Sequence, residues 1–158
     1  MQIIEQFLQE IEIVELSEKH TKAVARLHHQ GFPFVKKYHS SYYREYLKNK
    51  EVWLSIGTFI KDKLIGYCII NIKKGEAEKT LIRYRIPGNH KPEVQIDYLC
   101  INKKYYRKGY ARKFLEHCQK LFSSILVHTT TEGKPLYKSL GFKNIDPTKA
   151  KQFLFWKK

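Results

Sequence analysis

The chain is short of acidic residues: 15 Asp and Glu stand against 30 Lys and Arg, for a formal net charge of +15. Such a field repels small polycations and draws in polyanions, whether nucleic acid, an acidic protein or membrane surface, or a multiply phosphorylated cofactor. Cysteine is scarce and odd in number. Cys68, Cys100 and Cys118 include no C-x-x-C pair and fall within expected strands or a helix. They read as buried thiols in a reducing cytoplasm, not as a disulfide framework, and the cytoplasm is the expected compartment. His28-His29, His117 and His128 keep no metal-ligand spacing with a cysteine pair, so no metal is expected. No apolar run approaches the roughly 20 residues of a membrane span, and no basic segment leads the N-terminus as in a secretory signal. Internal repeats and low-complexity linkers are also missing. The expectation is one domain over residues 1–158, with residues 1–10 as an N-terminal extension and no membrane partner.

What is present is a core. Hydrophobic residues make up 42% of the chain and aromatics 14%, far from a disordered composition. Residues 11–16 read as a first strand. Ser17 reads as the N-cap of a helix through Gln30, with Ala23, Val24 and Leu27 inward, stopped by Gly31 and Pro33. Ser40 or Ser41 would cap a second helix to about Asn49, packing Tyr42 and Tyr46 on the core. Its tyrosines alternate with Lys36, Lys37, His39 and Arg44, the composition of a surface on which bases stack and phosphates pair. Residues 53–60 and 64–72 form a hairpin around Lys61-Asp62-Lys63, with Gly66 marking a bulge or a close backbone approach. Thr80 to Ile86 would extend that meander, and Pro87 to Pro92 is a loop.

The centre of the pattern is Glu93 to Ala111. Val94, Ile96, Tyr98 and Cys100 alternate with Gln95, Asp97, Leu99 and Ile101, as a strand requires. A basic turn, Asn102 to Arg107, follows; Gly109 then frees the backbone, and Phe114, Leu115, Cys118, Leu121 and Phe122 take helical spacing. A strand that turns into a helix through basic residues offers unpaired N–H groups and the positive end of a helix dipole to a phosphate. Downstream, Ser124 to His128 reads as a buried strand. Pro135 opens a helix that Gly141 ends, and Phe142–Ile145 and Gln152–Trp156 close the chain as strands around Asp146-Pro147. The order β-α-α-β-β-(β)-β-α-β-α-β-β is that of an α/β (α+β) mixed sheet.

Two stretches carry a resemblance. Tyr106-Arg107-Lys108-Gly109-Tyr110-Ala111 and Leu136-Tyr137-Lys138-Ser139-Leu140-Gly141-Phe142 resemble the [QR]-x-x-G-x-[GA] loop and L-Y-x-x-x-G-F signature of the GNAT acyl-CoA-dependent N-acetyltransferases. The element order matches that family over nearly the whole chain. The sequence departs from the family at Tyr106, where Gln or Arg is usual, and at Thr130 and Gly133, where many members have Asn and Ala.

The resemblance implies acetyl-CoA as cosubstrate and an amine acceptor, either a small molecule or a protein N-terminus or lysine. The pantetheine arm would lie along the backbones of Leu99, Cys100 and Ile101, with Thr130 also on the cofactor. The pyrophosphate would rest on the amides of Arg107, Lys108, Gly109, Tyr110 and Ala111, with Tyr106 also a cofactor-binding position. Tyr137 would protonate or hydrogen-bond the departing sulfur. Asp97 is the best-placed base on its strand face, directly or through a water, with Glu93 as the alternative; Gln95, where some acetyltransferases carry glutamate, has no basic group. Cys100 is not read as a nucleophile, since a mid-strand thiol is inert. Two other readings stay open, a basic RNA- or ribosome-binding module and a GNAT-like protein that binds acyl-CoA without turnover. The charge permits weak nucleic-acid binding, and the chain is expected to be a monomer or homodimer.

Overall fold

A computed structural model describes residues 11–33 and 38–158. The expected extension at residues 1–10 lies outside the described residues, as do residues 34–37 after the Pro33 turn. The described chain falls into two compact units, one of residues up to Ile69 with Tyr98–Phe114, the other of Ile70–Asp97 with Leu115–Lys158. Among the described residues seven strands, β1 to β7 in chain order, form one mixed sheet of order β1-β2-β3-β4-β5-β7-β6.

In the first unit β1 (Val14–Glu15) is shorter than expected and pairs antiparallel with β2 (Trp53–Ile60) through Val14↔Gly57. A 3-10 turn, Glu18–His20, then comes between Ser17 and the helix; the Ser17 N–H donates to His20 Nδ1 at 3.0 Å. Helix α1 (Thr21–Gly31) buries Val24, Ala25, Leu27 and His28. Helix α2 (Ser40–Lys48) corrects two expectations. Its N-cap is His39, whose Nδ1 accepts from the Ser41 N–H at 3.2 Å, and Tyr43 and Leu47 face the core while Tyr42 is 41% exposed. Both i,i+4 pairs fit a helix face. The pair containing leucine is buried, Tyr46 is half-buried and packs against the same core as expected, and Tyr42 turns outward with its hydroxyl 3.3 Å from that of Tyr46.

Between β2 and β3 (Lys63–Asn71), Lys61 and Asp62 both take positive φ, 49° and 64°, the geometry of a tight two-residue hairpin. Gly66 marks a close approach: a Cβ there would sit 2.7 Å from Ile101 Cδ1 and 3.1 Å from the Phe114 ring.

In the second unit the expected extra strand at Thr80–Ile86 is replaced by a helix, α3 (Glu76–Arg83). Gly75 at φ 82° turns the chain, Glu76 and Glu78 sit at the positive end of the dipole, and Ala77 and Leu81, four apart, bury one face. The alternation in TLIRYRI is real, but the helix begins upstream of it. Ala77 and Leu81 pack with Leu126 and Phe153. Strand β4 (Val94–Ile101) runs parallel to β5 (Ser124–His128) from Val94↔Ile125 to Ile96↔Val127, and β7 (Phe153–Lys157) is antiparallel to β5 and to β6 (Lys143–Asn144).

Helix α4 (Tyr110–Leu121) buries Phe114, Leu115 and Cys118 as expected, but Leu121, its last residue, is 51% exposed. Helix α5 (Lys134–Ser139) carries Pro135 in its first turn, and Gly141 at φ 92° ends it. There the Phe142 N–H donates to the Tyr137 carbonyl at 3.1 Å. The three cysteines are buried and unbridged.

Candidate active site

Beyond β4 the chain coils before it becomes helix. Asn102 Oδ1 accepts from the Lys104 N–H at 3.0 Å, and its carbonyl accepts from the Tyr105 N–H at 2.8 Å, which winds Lys103–Tyr105 into a 3-10 turn. Arg107 (φ 61°) and Gly109 (φ 89°) then both adopt left-handed backbone. Glycine does this freely, whereas a side chain there costs free energy that the surrounding turn must offset. The Gly109 carbonyl accepts from the Lys113 N–H at 3.1 Å, the first bond of α4. The first amides of such a helix have no carbonyl partner within it and point out of its positive end.

Tyr110 anchors this end. It is 2% exposed and packs edge-on against Tyr105 at 5.9 Å. Lys104 and Lys108 hold their ammonium groups 5.9 and 5.4 Å from the Tyr105 ring centre, which places two cations beside the turn. Arg107 and Gly109 are exposed, Ala111 is half-buried, and Tyr106 is 50% exposed. The sequence thus builds a cationic, amide-lined turn on a rigid helix.

Among the described residues the β4–β5 ladder ends at Ile96↔Val127, so Leu99, Cys100 and Ile101 lie beyond it. The regular burial alternation of β4 also lapses after Asp97: Tyr98 and Leu99 are both half-buried, Cys100 and Ile101 both buried. Along its other edge, Asn102 N–H donates to the Ile65 carbonyl of β3 at 2.8 Å. Cys100 points at α1, where its thiol donates to the Leu27 carbonyl at 3.6 Å and leaves room only for Gly31. Burial pushes that thiol up to about 12, partly opposed by a hydrogen bond with Tyr67, so no thiolate forms near neutrality. A pocket of about 330 Å³ opens at the exit of β4, lined by Leu27, Gln30, Gly31, Ile101, Asn102 and Lys103.

The remaining expected residues lie in the second unit. Asp97 and Gln95 share a strand face, and Gln95 Nε2 donates to Asp97 Oδ1 at 2.9 Å. Thr80 Oγ1 of α3 donates to Gln95 Oε1 at 2.6 Å. Sequence reasoning missed this neighbour because it placed Thr80 in a strand; the Glu76, Ala77 and Leu81 spacing was the signal available. Glu93 is exposed, and its Oε2 accepts from the Ser123 N–H at 2.7 Å and hydroxyl at 2.8 Å. That carboxylate ties the end of α4 to the start of β4.

Tyr137 is 6% exposed on α5 and meets Phe142 edge-to-face at 5.3 Å. Thr129 explains the glycine one turn before it. A Cβ on Gly133 would sit 2.5 Å from Thr129 Oγ1, so alanine would force that hydroxyl to move. Thr130, exposed, accepts from the Gly133 N–H through its own hydroxyl at 3.3 Å.

Known proteins share this architecture. The structure is similar to that of PaiA N-acetyltransferase from Thermoplasma acidophilum in complex with coenzyme A, at 16% identity and TM-score 0.66 over 94% of this chain and 99% of that one. It is similar to Arabidopsis thaliana NAA60 in complex with a bisubstrate analogue, at 18% identity and TM-score 0.68 over 93% and 97%. It is also similar to the ribosomal-protein-S18-alanine N-acetyltransferase of Escherichia coli, at 15% and 0.62 over 92% and 89%. No curated protein is significantly similar to the chain in sequence. The family model of the acetyltransferase (GNAT) domain matches residues 23–156, and the chain belongs to the GNAT family of acetyltransferases.

Proposed function

We propose that the chain is a single-domain cytoplasmic enzyme that transfers the acetyl group of acetyl-CoA to a primary amine by direct attack in a ternary complex. The observation that carries this reading is the turn at Arg107 and Gly109, with two left-handed residues, adjacent lysines and a helix start. Its amides are suited to the pyrophosphate, with Arg107 and Lys108 answering the negative charge. The backbone of Leu99, Cys100 and Ile101, beyond the β5 ladder, is suited to the pantetheine amides. The Thr130 hydroxyl would meet the same cofactor.

The acceptor follows from charge and proton cost. At pH 7 a lysine amine gives up its proton for about 4.6 kcal/mol, whereas an α-amine near pKa 8 requires about 1.4 kcal/mol. With a net charge of +15, the reading is a protein N-terminus followed by acidic residues. The Escherichia coli relative, named for a ribosomal-protein alanine, is consistent with a protein acceptor. Asp97 takes the amine proton, directly or through a water; Glu93 is the weaker candidate because Ser123 already occupies its Oε2. Tyr137 donates to the sulfur. A phenol near 10 facing a thiolate near 8.5 transfers its proton uphill by about 2 kcal/mol, so the hydrogen bond itself supplies much of the effect.

Thiol release from acetyl-CoA, followed across a panel of acidic peptides, lysine peptides, anionic amines and polyamines, tests this. Acceptor-dependent release with acidic N-termini foremost supports it. Binding of acetyl-CoA with silence across the panel favours a non-catalytic acyl-CoA-binding protein instead.

A further inference from the structure

Thr80, Gln95 and Asp97 form a directed chain. Thr80 Oγ1 lies 2.6 Å from Gln95 Oε1, and Gln95 Nε2 lies 2.9 Å from Asp97 Oδ1. An ionised carboxylate only accepts, so the Gln95 amide must turn its NH2 toward Asp97 and its carbonyl away. The carbonyl then requires a donor. Thr80 supplies it from a rigid helix whose Ala77 and Leu81 are buried, and the hydroxyl's other contact, with the Glu76 carbonyl, is longer at 3.2 Å. Each bond of the chain therefore fixes the direction of the next.

We infer that Thr80 and Gln95 are positioning residues for the carboxylate of Asp97, an inference that rests on the reading of Asp97 as the base. A glutamate at position 95 would set a second carboxylate beside Asp97, and the like charge would raise the proton affinity of one of the pair. Glutamine avoids this and donates to one oxygen of the charged form, which holds the carboxylate in the orientation from which it would meet the amine or its water. Free rotation of the Gln95 amide would lose that bias, because its carbonyl would repel the carboxylate. Thr80 prevents the rotation. The role of α3 is thus to bring one hydroxyl to the strand, a task that an added strand in its place would not perform.

The test reads the Gln95 side-chain amide in proton–nitrogen spectra of the full chain, beside turnover with the peptide that gives the fastest thiol release. In the native protein the two Gln95 amide protons should be well separated in shift and slow to exchange. Thr80→Val, which keeps the shape and removes the donor, should collapse that separation, and Thr80→Ser should restore it. Turnover in Thr80→Val should fall roughly 10- to 100-fold through kcat, with KM for acetyl-CoA unchanged, as expected when a reacting group is misplaced. In an Asp97→Asn background the same substitution should cost nothing further. Unaltered Gln95 signals in Thr80→Val would overturn the chain of bonds whatever the enzyme's activity. A drop in kcat for Asp97→Asn without one for Thr80→Val would overturn the positioning role and leave the base in place. An unchanged kcat in Asp97→Asn would remove the base assignment itself.

Discussion

The Tyr67 hydroxyl and His28 Nδ1 lie 2.5 Å apart in the core of the first unit, both residues buried. Burial, with His29 adding to it, lowers the imidazole from 6.5 to about 4, so His28 is neutral and its Nδ1 can accept the phenol proton. The unfolded chain therefore binds a proton at His28 that the folded chain does not, between about pH 6.5 and 4. Stability is full above that window and declines as pH falls through it, by up to about 3 kcal/mol. Urea midpoints from pH 7.5 to 4 should show the decline. His28→Asn, less stable throughout, should show a flatter profile, and an equal slope in both would contradict the assignment.

Asp146 acts in a lower window. Burial alone would raise its carboxyl, but hydrogen bonds from Thr148, Gln152 and Phe153 outweigh that and hold it below 3.8. Its contribution is present above that ordinary value and is lost only below it, so Asp146→Asn should leave the pH 6.5 to 4 slope alone.

Gly133→Ala should destabilise the chain by about 1–3 kcal/mol, because its methyl meets Thr129 Oγ1, which must then shift and give up its bond to the Thr130 carbonyl. Thr129→Ala removes the obstacle. Unfolding of the two single variants and the double should show the double well short of additive; simple additivity would mean that the clash is relieved elsewhere.

Tyr137→Phe removes one hydroxyl and keeps the ring against Phe142. Acetyl-CoA affinity should be nearly unchanged, while turnover should fall by roughly 10- to 10⁴-fold, the range for losing a general acid with partial rescue by water. Stopped-flow binding beside steady-state turnover separates the two. Full turnover in the variant would return Tyr137 to the core.

Asp97→Asn should behave differently with pH. As pH rises the acceptor amine loses its proton unaided, so the deficit should shrink from pH 7 to 9. A deficit constant across that range would assign Asp97 to positioning the acceptor instead.

Much of this was legible because periodicity and turn chemistry are local. Ser124–His128, the Lys61-Asp62 hairpin, the Gly141 cap and the strand–turn–helix at Gly109 each follow from residues a few positions apart. What escaped depended on longer windows or on contacts distant in sequence. Thr80–Ile86 alternates like a strand, and only the turn at Gly75 and the Ala77–Leu81 pair upstream make it a helix. Tyr42/Tyr46 and Tyr43/Leu47 are equally good helical pairs, and the choice between them falls to the neighbours that cover Tyr43. The occupation of Glu93 by Ser123 joins residues far apart in sequence, so no local pattern announces it.

Calorimetric titration of the native protein with acetyl-CoA, beside Gly109→Glu, bears most directly on the phosphate-binding turn. Gly109 has φ 89°, so a side chain there is strained, and a carboxylate would oppose the phosphates at the helix start. Saturable binding by the native chain and a loss of at least about 10-fold in the variant, with its circular dichroism unchanged, is the expected result. Absence of binding by the native chain at about millimolar acetyl-CoA, a ΔG weaker than about −4.1 kcal/mol, would contradict it.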